Sequence, residues 1–253
     1  HIKTKKPKII TSISMFYDLP SPIKFAQDIY ECLDDNGIWH LEQSYMPSML
    51  KNISYDTICH EHLEYYSLRS LKYLLDKAGL KIINLSFNQT NGGSIALDVS
   101  KVSSNFERCD HLINWILKSE ELNKYNTVER QKKFFKECKV HKTLLKNLIN
   151  GIKKEGKRIY GYGASTKGNV LLQYCKLTSK DIKYIGEVNK FKFNKYTPGS
   201  NIKIISEKKL KKLKPDYLLV LPWHFKDNII KKENSYLNSG GKLLFPLPDI
   251  EII

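Results

Sequence analysis

The 253-residue sequence predicts an α/β fold built in two parts. Three observations carry that reading. Short β-branched runs alternate with helical apolar stripes in both parts, the pattern of parallel strands covered by helices. A wholly helical stretch from about Asn105 to Lys154 separates them. The second part opens on a strand, a glycine-rich loop and a helix.

In the first part, Lys8 to Met15 (KIITSISM) is short, apolar and β-branched, as a buried strand should be. Asp18 to Pro22 turns the chain, and Ile23, Phe25, Ala26, Ile29, Tyr30 and Leu33 form a helical stripe that ends at Asp34-Asp35-Asn36-Gly37. Ile38 to Leu41 is the next strand, followed by a loop through Met46 and Pro47. Ser67 suits the N-cap of a helix carrying Leu68, Leu71, Leu74 and Leu75, with Gly79 at its C-terminal end. Leu80 to Leu85 and Ser94 to Val102 are strands joined through Asn91-Gly92-Gly93. This order predicts a mostly parallel sheet that finishes in an antiparallel pair.

The second part begins with the strand Arg158 to Tyr162 and the tight loop Gly163 to Asn169, which leads into a helix from Val170 to Tyr174. Ile182 to Gly186 and Tyr217 to Leu221 are further strands with a lysine-rich helix between them. Gly240-Gly241 turns the chain into the last strand, Lys242 to Phe245.

Charge and cysteine usage narrow the function classes. The formal charge of +16 is uneven, with net −1 over residues 1–100 and +17 over the remainder. Nucleic acid is not the expected partner: only four of the 42 cations are arginine, the residue that bidentate phosphate and base recognition recruits. The run Lys208-Lys209-Leu210-Lys211-Lys212 reads as a solvated helix face. No apolar run approaches the ~20 residues of a membrane span, so no membrane partner is expected. The five scattered cysteines contain no CxxC pair and suit a reducing, cytoplasmic location. The basic start His1 to Lys6 shows no signal-peptide pattern and no initiator methionine, as expected of a processed or incomplete chain.

Cys59-His60-Glu61-His62 packs two imidazoles and a carboxylate into four positions, just past a segment that reads as a buried strand. Histidine has the side-chain pKa nearest neutrality, and an adjacent carboxylate can hold it ready to take a proton. Proton abstraction next to a carbonyl is the chemistry this suggests; an exposed polar loop is the plain alternative. Zinc fits less well, because His60 and His62 are two apart whereas the helical zinc motif needs a spacing of four.

Gly161-Tyr162-Gly163-Ala164-Ser165-Thr166-Lys167-Gly168 lies where a strand becomes a helix. Backbone N–H groups and the helix dipole favour an anion there, and glycines let it approach. The run departs from GxGxxG in its late third glycine and from the Walker motif in the order of Lys167 and Gly168. Glu187 ends the next strand, where an acid that bonds a ribose hydroxyl belongs. A nucleotide diphosphate is the ligand this arrangement suggests. Trp223-His224 and the loop Thr197-Pro198-Gly199 are candidates to face the same crevice.

Together HEHLEYYS, the turn Gly92-Gly93-Ser94, GYGASTKGN, Thr197-Pro198-Gly199, PDYLLVLPWHF and GGKLLFPLP resemble the sugar C-methyltransferase family, in order and over nearly the whole chain. The resemblance implies S-adenosylmethionine as cofactor and carbon 3 of a nucleotide-linked 4-keto-6-deoxysugar as the methylated atom. It implies the second half of a class I methyltransferase sheet over residues 1–103, then a helical segment and a C-terminal Rossmann-like, nucleotide-sugar-binding domain over 104–253. Zinc is expected only in a more N-terminal region, together with the first strand and glycine-rich cofactor loop. Ser14-Met15-Phe16-Tyr17 is then the remaining cofactor wall, and the chain by itself is expected to be inactive. His62 becomes the base that removes the C3 proton, with Glu61 as its partner or a sugar contact and His60 and Cys59 beside them. Gly161 to Lys167, Asn169, Glu187, Pro198, Gly199, Trp223 and His224 become the substrate-binding residues. Two positions depart from the family pattern: Cys59 stands where tyrosine is common, and Ala96 where relatives often have arginine. A non-catalytic nucleotide-sugar binding module and an NAD-dependent oxidoreductase are the competing readings; the second gives the HEH run no role.

Overall fold

A computed structural model describes residues 5–253, and the basic start at residues 1–4 lies outside the described residues. The chain divides into two compact units: His1–Lys51 with His60–Lys132, and Asn52–Cys59 with Lys133–Ile253.

The first unit contains β1 (Ile9–Ile13), α1 (Pro22–Cys32), β2 (Ile38–Ser44), α2 (Met46–Lys51), α3 (Leu68–Lys77), β3 (Leu80–Asn88), β4 (Ser94–Lys101) and α4 (Asp110–Leu122). Its four strands lie in the order β1-β2-β4-β3. β1 and β2 are parallel, but β4 runs antiparallel to both of its neighbours. The expectation of a mostly parallel sheet is therefore corrected to one parallel and two antiparallel pairs. The cause is placement: β4 inserts between β2 and β3 instead of adding to the edge. Seven of its eight residues are buried, as a central strand covered on both faces requires.

Trp39 and Leu41 of β2 and Val99 of β4 pack with Phe16, Leu33, Leu71 and Leu75 into one apolar core. Each such side chain contributes about 1.5–3 kcal/mol on burial. α3 starts as the sequence indicates, on a reciprocal cap: Ser67 Oγ accepts from the Ser70 amide, and Ser70 Oγ accepts from the Ser67 amide. Buried Glu120 of α4 accepts the Leu68 amide and the Tyr45 hydroxyl, each at 2.6 Å, and so places an acid at the positive end of α3. Gly79 follows that helix at φ 75°. Between β3 and β4, Asn91, Gly92 and Gly93 all take positive φ, and a Cβ on Gly93 would lie 2.6 Å from Ser48.

The long helical region divides at residues 123–127, where Lys124 takes a left-handed φ of 55°. The second helix, α5 (Val128–Lys154), continues into the second unit. There follow β5 (Ile159–Tyr162), α6 (Thr166–Tyr174), β6 (Tyr184–Glu187), β7 (Lys203–Ser206), α7 (Glu207–Lys212), β8 (Tyr217–Val220), α8 (Lys226–Lys232), α9 (Asn234–Asn238), β9 (Lys242–Phe245) and β10 (Glu251–Ile252). The sheet order is β10-β9-β8-β5-β6-β7, parallel throughout except for β10. Strands added in sequence run outward from β5 on one side and restart at β8 on the other. The carboxyl ends of β5 and β8 therefore flank the switch point where an open α/β sheet offers a crevice.

Two differences from expectation bear on the candidate residues. α6 begins at Thr166 because Ser165 Oγ accepts the Gly168 amide at 3.0 Å, so Lys167, Gly168 and Asn169 belong to its first turns and not to the loop. The segment before the HEH run is a 3-10 turn, Tyr55–Thr57, and not a strand. All five cysteines are free thiols. Among the described residues no helix is long and apolar enough to cross a membrane, and no group of three His, Cys, Asp or Glu side chains is placed to hold a metal ion.

Candidate functional site

In the first unit the HEH run is held by the segment after β1. The carbonyl of Tyr17 accepts both the Leu63 and the Glu64 amides, at 3.0 and 3.1 Å. This fixes the chain on the C-terminal side of His62. The His62 ring lies 4.4 Å from the Tyr17 ring, centre to centre. Asp18 completes the group: partial burial pushes its carboxyl above the usual range, His62 pulls it down and Glu61 pushes it further up. One imidazole thus shares its surroundings with two carboxylates and a phenol ring, a setting suited to accepting a proton. His60 is exposed, and Cys59 is half-buried in the second unit.

The wall after β1 is uneven. Ser14 takes a left-handed φ of 54°, donates its amide to the Glu42 carbonyl and accepts the Asn91 side-chain amide at 3.2 Å. Ser14 and Met15 are half-buried, while Phe16 is fully buried against Phe25, Trp39 and Tyr66. Phe16 is therefore a core side chain and offers no surface to a ligand. Near the same end of β2, Gln43 is fully buried and neither atom of its amide meets a protein partner.

In the second unit the glycine-rich loop sits at the switch point, packed against the residues after β8. Gly163 has φ 78°, and a Cβ there would lie 2.7 Å from the Pro222 ring. A cleft of about 350 Å³ opens beside it, lined by Gly163, Ala164, Ser165, Glu187, Lys192 and Lys232 among others. Glu187 braces the loop: it accepts the Ala164 amide at 2.9 Å and the Val188 and Asn189 amides at 2.7 and 2.9 Å. Lys192 donates to the Ala164 carbonyl at 2.7 Å. The Ala164 amide is thus satisfied within the protein. Three of the roughly four acceptor positions of the Glu187 carboxylate are filled.

Thr197-Pro198-Gly199 stands apart from this cleft. The Pro198 carbonyl accepts from Gln173, in the last turn of α6, roughly 10 Å along the helix from its start. Lys167 turns elsewhere too. Burial holds its ammonium below the usual range, an effect opposed by Asp56 and then Cys59. Asp56 is fully buried and accepts the Trp223 indole N–H at 2.7 Å. Burial, aided by the Lys167 charge, brings His224 down to about 4. Tyr162, meanwhile, donates its hydroxyl to buried Glu233. The structure therefore brings Trp223 and Lys167 to an acid that sequence reading passed over, with His224 and Cys59 acting on the same lysine, and Asp18 is a second such omission. Neither carries a local signal, because Asp18 reads as part of a proline turn and the bonded partner of Asp56 is 167 residues away.

Two family descriptions match the chain: a C-methyltransferase C-terminal domain over residues 89–248, and a methyltransferase domain over residues 3–85. The chain belongs to the C-methyltransferase family. A curated member, the C-methyltransferase NovU of Streptomyces niveus, is 29% identical over 246 residues, covering 97% of this chain and 58% of that protein. The chain thus spans less than two thirds of the length of this C-methyltransferase. Among solved structures, a pericyclic reaction enzyme and LepI in complex with SAM are each 17% identical, with a TM-score of 0.34 over 39% of this chain and 27% of theirs.

Proposed function

We propose that this C-methyltransferase acts on carbon 3 of a nucleotide-linked 4-keto-6-deoxysugar with S-adenosylmethionine as methyl donor. The observation that carries the reading is the HEH group, where His62 lies against Tyr17 with Glu61 and Asp18 beside it. A ketone acidifies the neighbouring C–H, and a ring nitrogen of His62 takes that proton as general base. Glu61 and Asp18 stabilise the imidazolium that results. The cofactor is assigned to the segment after β1 in the first unit, and the nucleotide to the switch-point cleft of the second.

The cofactor supplies an electrophilic methyl group. Ser14, Met15 and Tyr17 would hold it, and the unpartnered amide of Gln43 fits its polar groups. The switch-point cleft would take the diphosphate, with Lys192 and Lys232 turning to it from their pairings with Glu187 at 3.8 Å and Glu207 at 2.8 Å, and Glu187 keeps one acceptor position for a ribose hydroxyl.

The test is transfer of a labelled methyl group from S-adenosylmethionine to nucleotide-linked 4-keto-6-deoxysugars by the full-length protein. Product methylated at carbon 3, and its absence with His62→Ala, are the expected results. Turnover unaffected by that substitution, or label on oxygen instead of carbon, would overturn the proposal.

A further inference from the structure

The second unit holds a polar cluster with more acceptors than its own donors satisfy. Asp56 sits on the 3-10 turn Tyr55–Thr57, which packs against α6. Its Oδ2 accepts the Trp223 indole N–H at 2.7 Å, while its Oδ1 is equally buried and no protein donor reaches it. His224, the next residue after Trp223, likewise buries its Nδ1 with no protein partner. Lys167, on the first turn of α6, acts electrostatically on both Asp56 and His224.

A buried carboxylate oxygen without a donor is costly, and native structures carry few without a reason. Here the geometry supplies one. Trp223 fixes the carboxylate plane by one oxygen, which presents the other in a set direction, and Lys167 offsets the charge. An oxygen held in this way repels phosphate but accepts a hydroxyl. A site built to bond a hydroxyl also discriminates strongly against ligands that lack it.

We propose that Asp56 is a substrate-binding residue whose Oδ1, oriented by Trp223 and charge-compensated by Lys167, accepts a hydroxyl of the sugar portion of the ligand. The sugar portion is chosen over the ribose because the ribose is assigned to the acceptor position left on Glu187 at the switch-point cleft, whose lining does not include Asp56. The inference rests on the nucleotide-sugar reading given above.

Calorimetry on the whole protein tests it, with UDP, dTDP, UDP-glucose and dTDP-glucose as probes. Asp56→Asn keeps the side-chain shape and an acceptor for Trp223 but puts an N–H₂ donor where the hydroxyl must be received. It should weaken the nucleotide sugars by about tenfold or more and leave the two diphosphates within about twofold. An equal loss for both ligand classes, or no loss, overturns the inference alone. Wild-type protein that binds none of the four overturns the nucleotide-sugar reading and this inference with it. Should Asp56→Asn fail to fold, Trp223→Phe decides in its place. A loss confined to the nucleotide sugars supports the role of Asp56, and any other pattern overturns it.

Discussion

Trp223 donates its indole N–H to Asp56 at 2.7 Å across 167 residues of sequence, pinning the turn before the HEH run to the end of β8. Removing the donor leaves a buried carboxylate with no hydrogen bond from another side chain. Trp223→Phe should therefore lose about 1–3 kcal/mol beyond the packing cost of the smaller ring. Asp56→Ala in the same background should recover part of that, with a coupling of about 1–3 kcal/mol in a double-mutant cycle read by urea denaturation. Additive single losses would show that the bond contributes nothing.

His62→Ala should lower methyl transfer by ~10²–10⁴ while leaving nucleotide-sugar affinity nearly unchanged, because a general base acts only as the proton leaves. Asp18→Asn should give a smaller loss, since it removes one of the carboxylates around the imidazole. Steady-state rates across pH, paired with calorimetry, check both. Normal turnover of His62→Ala would remove the base from the assignment.

Gly163 and Gly156 both have positive φ, of 78° and 73°, yet only Gly163 is crowded, by the Pro222 ring. Gly156→Ala should cost about 1 kcal/mol from backbone strain alone. Gly163→Ala adds a clash at the switch point and should cost about 1–3 kcal/mol more. Urea midpoints of the two variants decide the matter, and equal shifts would mean that the Pro222 contact imposes no constraint.

His224 sits at about 4 and His141 is also held below the usual histidine range, in both cases chiefly by burial. The unfolded chain takes up these protons near pH 6.5, before the folded protein does. Their contribution is therefore complete above about pH 6.5 and is lost as the pH falls, in the case of His224 toward about 4. Asp56, whose carboxyl burial pushes up, works with the opposite sign. Melting temperatures at pH 7.5 and 5.0 should fall less for His224→Asn than for wild type. A drop of the same size in both would remove His224 from the pH response.

Local chemistry was legible where a single segment decides the outcome. Ser67 caps α3, Asn91-Gly92-Gly93 turns left-handed, and β9 occupies Lys242–Phe245 as read. Pro47 reads as a breaker, yet it lies at the second position of α2, where its missing N–H costs nothing. Gly168 and Asn169 disguise the start of α6 as loop. Gly168 is there because a Cβ would meet Leu221 at 2.8 Å, a contact no local pattern reveals. The four-residue β7 shows no alternation long enough to read. Strand direction and the Asp56 cluster were hidden for one shared reason, because both depend on partners distant in sequence. At the candidate site, His62 and Glu61 could be found by residue type, whereas Asp18 and Asp56 acquire meaning only from what surrounds them.

The eight residues Asn52–Cys59 fold with the second unit although the chain on either side of them belongs to the first. Inheritance and engineering both feel that crossing. A chimera joined at the Lys132/Lys133 boundary would take its last 121 residues from one parent and Asn52–Cys59 from the other. Tyr55, Asp56 and Thr57 would then meet an α6 and a Trp223 of different ancestry. Recombinants that carry this short segment along with the C-terminal portion should keep the stability of the donor protein's second unit, and those that leave it behind should lose part of it.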